Sequence, residues 1–257
     1  MDLNNSPLTD AVWNDWLVTL KTRYAIDLHL DVLPKFKRYL LELKKWNENI
    51  NLISYRSEHE ILWRHFTDSL MSIKLIEKYR KNQTTDKANI VDLGTGAGFP
   101  GFIIKIAKPE YDITLVESQK KKCDFLEHLK NTLDYPGLKI INDRAENLGQ
   151  NFHYREQYDF AVSRAMCKLP PNLEVSIPLI KVGGRVIIYK TEEFADELKN
   201  DEHTKNVLGL LNSELVEIFK YNICELEQNF SIIVLEKKLK TPERYPRRPG
   251  IPEKKPL

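Results

Sequence analysis

The chain has 257 residues, of which 42% are hydrophobic, and its 39 Lys and Arg residues almost balance 37 Asp and Glu residues. This composition allows one sizeable core, and it excludes a globally basic protein, so any contact with nucleic acid must come from local clusters of charge. No apolar run approaches the ~20 residues of a membrane span, and residues 1–10 show no basic and then apolar leader. The three isolated cysteines, Cys123, Cys167 and Cys224, have neither disulfide-framework nor metal-ligand spacing, so we expect a protein of the reducing cytoplasm.

Residues 1–80 are predicted to form a helical extension. Apolar residues recur at helical intervals in two segments, and Ser57 and Glu60 form a capping box that begins a third helix. Four polar residues of this helix fall within about one turn of one another: Arg64, His65, Asp68 and Ser69. They are either a satisfied polar patch or a face that closes over the glycine turn that follows. The polar residues 80–87 are interpreted as a hinge.

Residues 89–101 predict a buried strand, a glycine turn and the start of a helix. The strand is short, apolar and rich in β-branched residues. Gly94, Gly96 and Gly98 allow backbone angles closed to other residues and let a ligand approach the main chain, and Pro100 suits the first turn of a helix. Such a turn presents free N–H groups at the carboxyl edge of a sheet, where open α/β folds bind ligands.

The glycine pattern alone leaves the ligand open. Gly96, Gly98 and Gly101 satisfy G-x-G-x-x-G, and Glu117 follows about 20 residues later, which would suit a nicotinamide dinucleotide. Asp92, however, lies inside the strand, where a carboxylate suits a cationic ligand better than a pyrophosphate. Counted from Asp92, the pattern becomes D-x-G-x-G-x-G and resembles motif I of class I S-adenosylmethionine methyltransferases. A turn without a ligand is the third possibility.

From residue 89 onward, strands and helices alternate, which predicts a parallel α/β sheet with helices on both faces. We expect seven strands, the last two forming a hairpin at about 215–223 and 230–236, and one helix at about 192–211 before them. Seven strands are typical of a class I methyltransferase, and one more than the dinucleotide fold needs.

Three positions at strand ends are candidate site residues. Glu117 ends the second strand, where a carboxylate can accept hydrogen bonds from both hydroxyls of a ribose. Residues 143–146 follow the third strand, where adenine would lie in this architecture. Arg164 ends the fourth strand and is expected to point into the crevice that holds the reacting centre.

The last stretch is basic and rich in proline. From Glu236 to Leu257 there are eight Lys or Arg residues against three Glu, with five of the thirteen prolines. Residues 241–250 cannot form a helix, because proline restricts them to extended backbone and turns. Six residues are candidate RNA-binding groups: Arg244, Tyr245, Arg247, Arg248, Lys254 and Lys255. The alternative is a solvated or disordered terminus.

Along most of its length the chain resembles the bacterial 16S rRNA guanine-N7 methyltransferases, the glucose-inhibited division protein B family. The resemblance lies in these segments: Trp46-Asn47, Asn51-Leu52, His65–Leu70, Gly94–Gly101, Glu117-Ser118, Lys121-Lys122, Phe125-Leu126, Arg144–Glu146, Ser163–Ala165, Gly183-Gly184 and the tail Thr241–Leu257. The tail is the most specific of them. Thr191 and the stretch Leu208–Phe230 depart from the family pattern, which leaves any substrate contact there open.

The resemblance implies a class I, Rossmann-like methyltransferase domain at 89–236, between the helical extension at 1–80 and the basic tail at 237–257. It implies S-adenosylmethionine contacts from Gly94, Gly96, Gly98, Phe99, Ala145, Glu146 and Arg164. Asp92 and Glu117 are added from their positions in the predicted sheet.

The implied reaction is methylation of guanine N7 in a hairpin loop of 16S rRNA, free or in the small ribosomal subunit. N7 carries a free lone pair, so orientation suffices and no catalytic acid or base is expected; Arg164 is the nearest candidate. We expect a monomer without metal. The alternatives are a small-molecule methyltransferase, an NAD-dependent dehydrogenase and a cofactor-binding module without catalysis.

Overall fold

The computed structural model describes residues 7–80, 87–198 and 201–257. In these residues one seven-stranded sheet has the order β3-β2-β1-β4-β5-β7-β6. The strands are β1 Asn89–Leu93, β2 Asp112–Glu117, β3 Lys139–Asn142, β4 Tyr158–Arg164, β5 Ile180–Thr191, β6 Ser213–Ile223 and β7 Gln228–Lys237. Strands β1 to β5 are parallel, and β7 is antiparallel to both β5 and β6. The predicted mostly parallel sheet with a terminal hairpin is confirmed.

The N-terminal residues form helices that pack on one face of the sheet. They are α1 Asp10–Thr22, α2 Leu33–Asn47, α3 Glu58–Glu60 and α4 Asp68–Arg80, with a π-helical segment at Ile61–Thr67 between the last two. The predicted N-cap is confirmed, because the Glu60 N–H donates to Ser57 Oγ at 3.1 Å. The returning bond of the capping box is shifted by one residue: Glu60 Oε2 accepts from the Arg56 N–H at 2.7 Å, not from that of Ser57. Of the predicted hinge, residues 81–86 lie outside the described residues.

These helices share a core with the sheet. Trp16, Phe36 and Phe66 are fully buried, and the Trp16 indole donates to Thr67 Oγ1 at 2.8 Å. The Tyr39 ring packs between Phe66 and the residues after the glycine turn. The helices therefore support the glycine turn from behind by direct aromatic packing.

The remaining helices follow the strands. They are α5 Gly101–Ala107, α6 Lys120–Thr132, α7 Ala145–Gln150, α8 Leu169–Ser176, α9 Glu192–Leu198, α10 Glu202–Leu210 and α11 Ile251–Lys254. Helices α5 and α6 pack on the face that carries the N-terminal helices, whereas α7, α8 and α10 pack on the opposite face. The single helix expected at 192–211 is wrong. Asp201 caps a separate helix by accepting the N–H groups of His203 and Thr204, both at 3.2 Å.

No helix within the described ranges combines the length and the apolarity that crossing a membrane requires.

Gly101 is expected to be intolerant of any side chain because α5 packs closely on β1. A Cβ at this position would lie 2.5 Å from Leu115 Cδ2 and 2.7 Å from Asp92 Oδ2. Gly101→Ala should therefore lower the free energy of unfolding by about 1–3 kcal/mol through overpacking. Urea denaturation measures this loss. The matched control is Gly137→Ala, where a Cβ has no neighbour within 4 Å, and equal losses in both variants would contradict the packing argument.

Candidate active site

A cleft of about 260 Å³ opens at the carboxyl edge of the sheet, beside the ends of β1, β2 and β4. Its walls come from the glycine turn, the starts of α6 and α7, the loop after β4, and helices α8 and α11. The lining residues include Gly94, Gly96, Glu117, Lys122, Ala145, Glu146, Met166, Cys167, Pro252 and Glu253. This is the edge at which open α/β sheets bind ligands.

A buried carboxylate fixes the glycine turn. Asp92 Oδ2 accepts from the Thr95 hydroxyl at 2.5 Å and from the Gly101 N–H at 2.8 Å, so one oxygen ties the turn to the first residue of α5. Gly94 and Gly96 have φ values of +66° and +59°. The turn therefore depends on glycine for its backbone and on Asp92 for its closure.

The environment of Asp92 disfavours its charge. Asp92 is fully buried, and its other oxygen, Oδ1, has no hydrogen-bond partner among the described residues. Burial raises the pKa of this carboxyl to about 7, and the nearby Glu117 acts in the same direction. The hydrogen bonds from Thr95 and Gly101 oppose the shift. Burial therefore favours the protonated form of this carboxyl.

Glu117, at the end of β2, joins two turns at the floor of the cleft. Its Oε2 accepts from the Gly96 N–H at 3.0 Å, and its Oε1 accepts from the Gln119 N–H at 2.8 Å. Each carboxylate oxygen can accept more than one hydrogen bond, so both keep capacity for a ligand's hydroxyl groups. The arrangement suits a vicinal diol.

Arg164 is held by side chains of the N-terminal helices. Its Nε lies 3.2 Å from Asp68 Oδ2, and its Nη2 donates to His65 Nδ1 at 2.9 Å. Asp68 also accepts a short hydrogen bond from the Tyr221 hydroxyl. Burial and the adjacent guanidinium lower the pKa of His65 to about 3, so its ring is neutral and Nδ1 can accept. Two residues of the predicted polar cluster, His65 and Asp68, thus contact Arg164 at the end of β4.

The structure separates the sequence-predicted cofactor residues into two groups. Five of them line the cleft: Gly94, Gly96, Glu117, Ala145 and Glu146. The other four, Asp92, Gly98, Phe99 and Arg164, lie outside its lining. A Cβ on Gly98 would be 2.7 Å from the Tyr39 hydroxyl, and the Phe99 ring stacks on His65 with centroids 5.1 Å apart. Gly98 and Phe99 therefore pack against the N-terminal helices.

Cys123 and Cys167 lie in environments that do not activate a thiol as a nucleophile. Cys167 lines the cleft, and Cys123 lies at the first turn of α6. Burial raises the pKa of both thiols to about 11, so each is protonated near neutral pH. Because the thiolate is the nucleophilic form, neither is prepared for covalent chemistry.

The basic tail is docked on α7 and α8, which corrects part of the RNA-binding prediction. Tyr245 is 6% exposed, so its ring is not available to stack on a base. Arg247 donates from Nε and Nη2 to the two oxygens of the fully buried Glu174, at 2.8 and 2.6 Å. Four predicted RNA-binding residues are exposed: Arg244, Arg248, Lys254 and Lys255.

Several lining residues were missed by sequence reasoning. Met166 covers the glycine turn, where a Cβ on Gly94 would come within 2.6 Å of Met166 Cγ. Pro171 and Val175 of α8 and Pro252 and Glu253 of α11 form the remaining wall. The sequence carries no signal for the loop after β4, and the prolines of the tail indicate turns but not where they dock.

The fold occurs in a known methyltransferase. The crystal structure of an S-adenosylmethionine-dependent methyltransferase from Aquifex aeolicus superposes with a TM-score of 0.50, covering 77% of this chain and 98% of that one at 12% identity. At this identity the likeness concerns the fold alone. It agrees with the class I methyltransferase fold expected from the glycine motif and the seven strands.

Sequence comparisons identify much closer relatives. A protein of Dictyoglomus thermophilum named ribosomal RNA small subunit methyltransferase G is 43% identical over 90% of this chain and 93% of its own length. A protein of the same name from Carboxydothermus hydrogenoformans is 39% identical over 94% of this chain and 98% of its own length. The family model described as GidB, rRNA small subunit methyltransferase G, matches residues 32–224. This chain therefore belongs to the rRNA small subunit methyltransferase G family.

Proposed function

We propose that this protein transfers a methyl group from S-adenosylmethionine to N7 of a guanosine in 16S rRNA, in the cytoplasm and with the RNA free or in the small ribosomal subunit. The observation that carries the proposal is the cleft at the carboxyl edge of the sheet, where the glycine turn meets the carboxylate of Glu117, in a chain of this family. The guanine N7 specificity follows from the resemblance to the family.

The residues of the cleft fit the cofactor. Glu117 offers a carboxylate for the ribose hydroxyls. Gly94 and Gly96 line the cleft with left-handed backbone, at φ values of +66° and +59°, which glycine adopts without strain. Ala145 and Glu146, at the start of α7, would hold the adenine end. Gly98, Phe99 and Asp92 lie outside the cleft lining and act indirectly, by fixing the conformation of the glycine turn.

The cofactor supplies an electrophilic methyl group attached to a positively charged sulfur. The protein's own groups have to bind and orient, because guanine N7 has a lone pair and no proton to remove. Orientation of this kind contributes roughly 7–11 kcal/mol to a reaction barrier. No acid or base residue is therefore assigned, in keeping with the neutral His65 and the protonated Cys167.

Arg164 acts in this proposal as an anion-binding group at the end of β4, directly before the residues of the following loop that line the cleft. Asp68 and His65 fix its guanidinium from one side, and its charge lies 5.8 Å from the centroid of the Phe99 ring. A fixed guanidinium can bind a carboxylate or a phosphate with a geometry that a mobile lysine lacks. The methionine carboxylate and an RNA phosphate are the two anions that the reaction brings near.

The RNA would meet the exposed face of the tail. Arg244, Arg248, Lys254 and Lys255 are exposed, and the two lysines directly follow Glu253, which lines the cleft. Cations beside the cleft can neutralise phosphates of an RNA whose base reaches the cofactor.

Methyl transfer to ribosomal RNA tests the proposal directly. Small subunits from cells that lack the protein are incubated with it and labelled S-adenosylmethionine, and nucleosides from the 16S rRNA are analysed by mass spectrometry. N7-methylguanosine is expected to appear only in the presence of the protein. Methylation of another nucleoside, or no transfer to free 16S rRNA and small subunits, would contradict the proposal.

Glu117→Gln is expected to weaken S-adenosylmethionine binding at least about tenfold, as measured by calorimetry without RNA. An amide cannot accept hydrogen bonds from Gly96, Gln119 and the ribose as the carboxylate does. The control is Glu127→Gln on α6, where the half-exposed carboxylate pairs with Lys130 at 3.6 Å. If both variants bind like the wild-type protein, Glu117 does not hold the cofactor.

Asp92→Asn is expected to reduce the change in the free energy of unfolding between about pH 4 and about pH 8. Because folding raises the pKa of Asp92 from 3.8 to about 7, the folded state binds this proton more tightly. The free energy of unfolding should therefore fall as pH rises through that window, by roughly 2–4 kcal/mol at most. Asparagine retains an oxygen for Thr95 and Gly101 but does not titrate. Denaturation at about pH 4 and about pH 8 should show a smaller fall in the variant, and equal falls would refute the assignment.

Replacing both Lys254 and Lys255 with methionine is expected to weaken RNA binding and to reduce its salt dependence. Affinity falls as salt rises, and each lost phosphate contact makes the slope of log affinity against log salt less steep by roughly 0.7. Filter binding of the RNA hairpin across a salt series measures the slope. A control that changes the net charge equally, Lys21→Met with Lys205→Met, should leave the slope unchanged, since both lysines are exposed elsewhere. An unchanged slope in the tail variant would remove these lysines from the RNA interface.

A further inference from the structure

The C-terminal segment, residues 241–257, forms one wall of the cleft. Pro252 and Glu253 of α11 line the cleft directly. The Gly250 N–H at the start of α11 donates to Glu146 Oε1 at 2.9 Å. Glu146 is itself a lining residue and is mostly buried. The segment thus bonds directly to a carboxylate that lines the cleft.

The docking of this segment depends on a buried ion pair behind the cleft. Glu174 is fully buried, and it accepts three hydrogen bonds from Arg247, one from the main chain and two from the guanidinium. Arg247 Nη2 also donates to the Lys255 carbonyl at 2.8 Å, which fixes the end of α11. Neither Glu174 nor Arg247 lines the cleft.

A second anchor binds the start of the segment. The Arg155 guanidinium donates to three main-chain carbonyls of the segment and to one of α7: Thr241, Pro242, Tyr245 and Gly149. Pro246 packs so closely on α7 that a Cβ on Gly149 would lie 2.6 Å from Pro246 Cγ. The segment is fitted to α7 and α8 along its length, although its sequence is that of a basic arm.

We propose that docking of the C-terminal segment and binding of the cofactor stabilise each other through Glu146 and α11. The inference rests on the proposed function for the identity of the cofactor. The docked segment positions the Glu146 carboxylate and closes one side of the cleft, so a detached segment leaves a weaker site. By linkage, the bound cofactor raises the docked fraction by the same factor.

This coupling would connect the cofactor to the RNA surface. The exposed cations Arg244, Arg248, Lys254 and Lys255 all belong to the segment. Their arrangement is that of the docked state, which the cofactor favours. The protein would therefore present its RNA-binding cations in register with the cleft mainly when the methyl donor is bound.

The first test measures binding of S-adenosylhomocysteine by calorimetry in the absence of RNA. Arg247→Met should weaken binding about tenfold, although this side chain lies outside the cleft. Because that change leaves a buried carboxylate unpaired and can impair folding, Glu174→Gln is the second variant. It leaves no fully buried charge, because the Arg247 side chain is 28% exposed, and should weaken binding by a smaller factor in the same direction.

The matched control is Arg185→Met. Arg185 forms a comparable, partly buried ion pair with Glu236 at 3.2 Å, between β5 and β7 and away from the cleft. This variant should lose stability without losing affinity for S-adenosylhomocysteine. The comparison separates loss of the docked segment from general destabilisation.

The second test measures trypsin cleavage after Arg244 in the full-length protein. Tyr245 is buried in the docked state, so cleavage of this bond requires the segment to detach. Because proteolysis of a transiently opened segment follows the open population, saturating S-adenosylhomocysteine should slow the appearance of the fragment that lacks residues 245–257. Mass spectrometry follows this fragment, and Arg247→Met should accelerate its release.

Wild-type affinity in both Arg247→Met and Glu174→Gln, or a cleavage rate that the ligand leaves unchanged, would overturn the coupling alone. Failure of the wild-type protein to bind S-adenosylhomocysteine would instead overturn the proposed function and the coupling with it.

Discussion

The site depends on one buried carboxylate at the end of β1. Asp92 bonds both the Thr95 hydroxyl and the Gly101 N–H through a single oxygen, and this closes the glycine turn onto α5. The position is unfavourable for charge, as its raised pKa shows. Burying a carboxylate costs free energy, and a protein tolerates this cost where the surrounding structure fixes the geometry. The result here is a glycine turn whose main chain lines the ligand cleft.

The cleft is built by elements from both faces of the sheet that are far apart in sequence. On one face Tyr39 bonds the Ala97 carbonyl and packs on Phe99, so the N-terminal helices set the back of the turn. On the other face Glu174 holds the tail through Arg247. The helical extension and the tail are thus parts of the site's construction, whatever else they contact.

Sequence patterns predicted the elements that local chemistry determines. The strand before Gly94, the N-cap at Ser57 and the seven strands follow from short-range rules, because apolar alternation, side-chain caps and glycine act within a few residues. The break at Asp201 was missed because an N-cap inside a helical pattern resembles an ordinary polar residue.

The long-range contacts could not be predicted in the same way. Arg164 meets Asp68, 96 positions earlier, and Arg247 meets Glu174 only because the tail returns across α8. A basic, proline-rich sequence is compatible both with a tail that extends into solvent and with a tail that packs on the domain. Local residues do not distinguish the two, since the difference is the buried partner that packing supplies.

The distribution of charge follows from this packing and suits two ligands of opposite sign. Inside, the carboxylates of Glu117 and Glu146 line the cleft, with Asp92 behind them, an environment that favours a cationic donor. Outside, the exposed cations of the tail favour a polyanion. Because Glu253 lines the cleft and the next two residues, Lys254 and Lys255, are exposed, a chain of almost balanced charge presents acidic groups in the cleft and basic groups beside it. Local placement of charge, and not net charge, determines which ligand binds where.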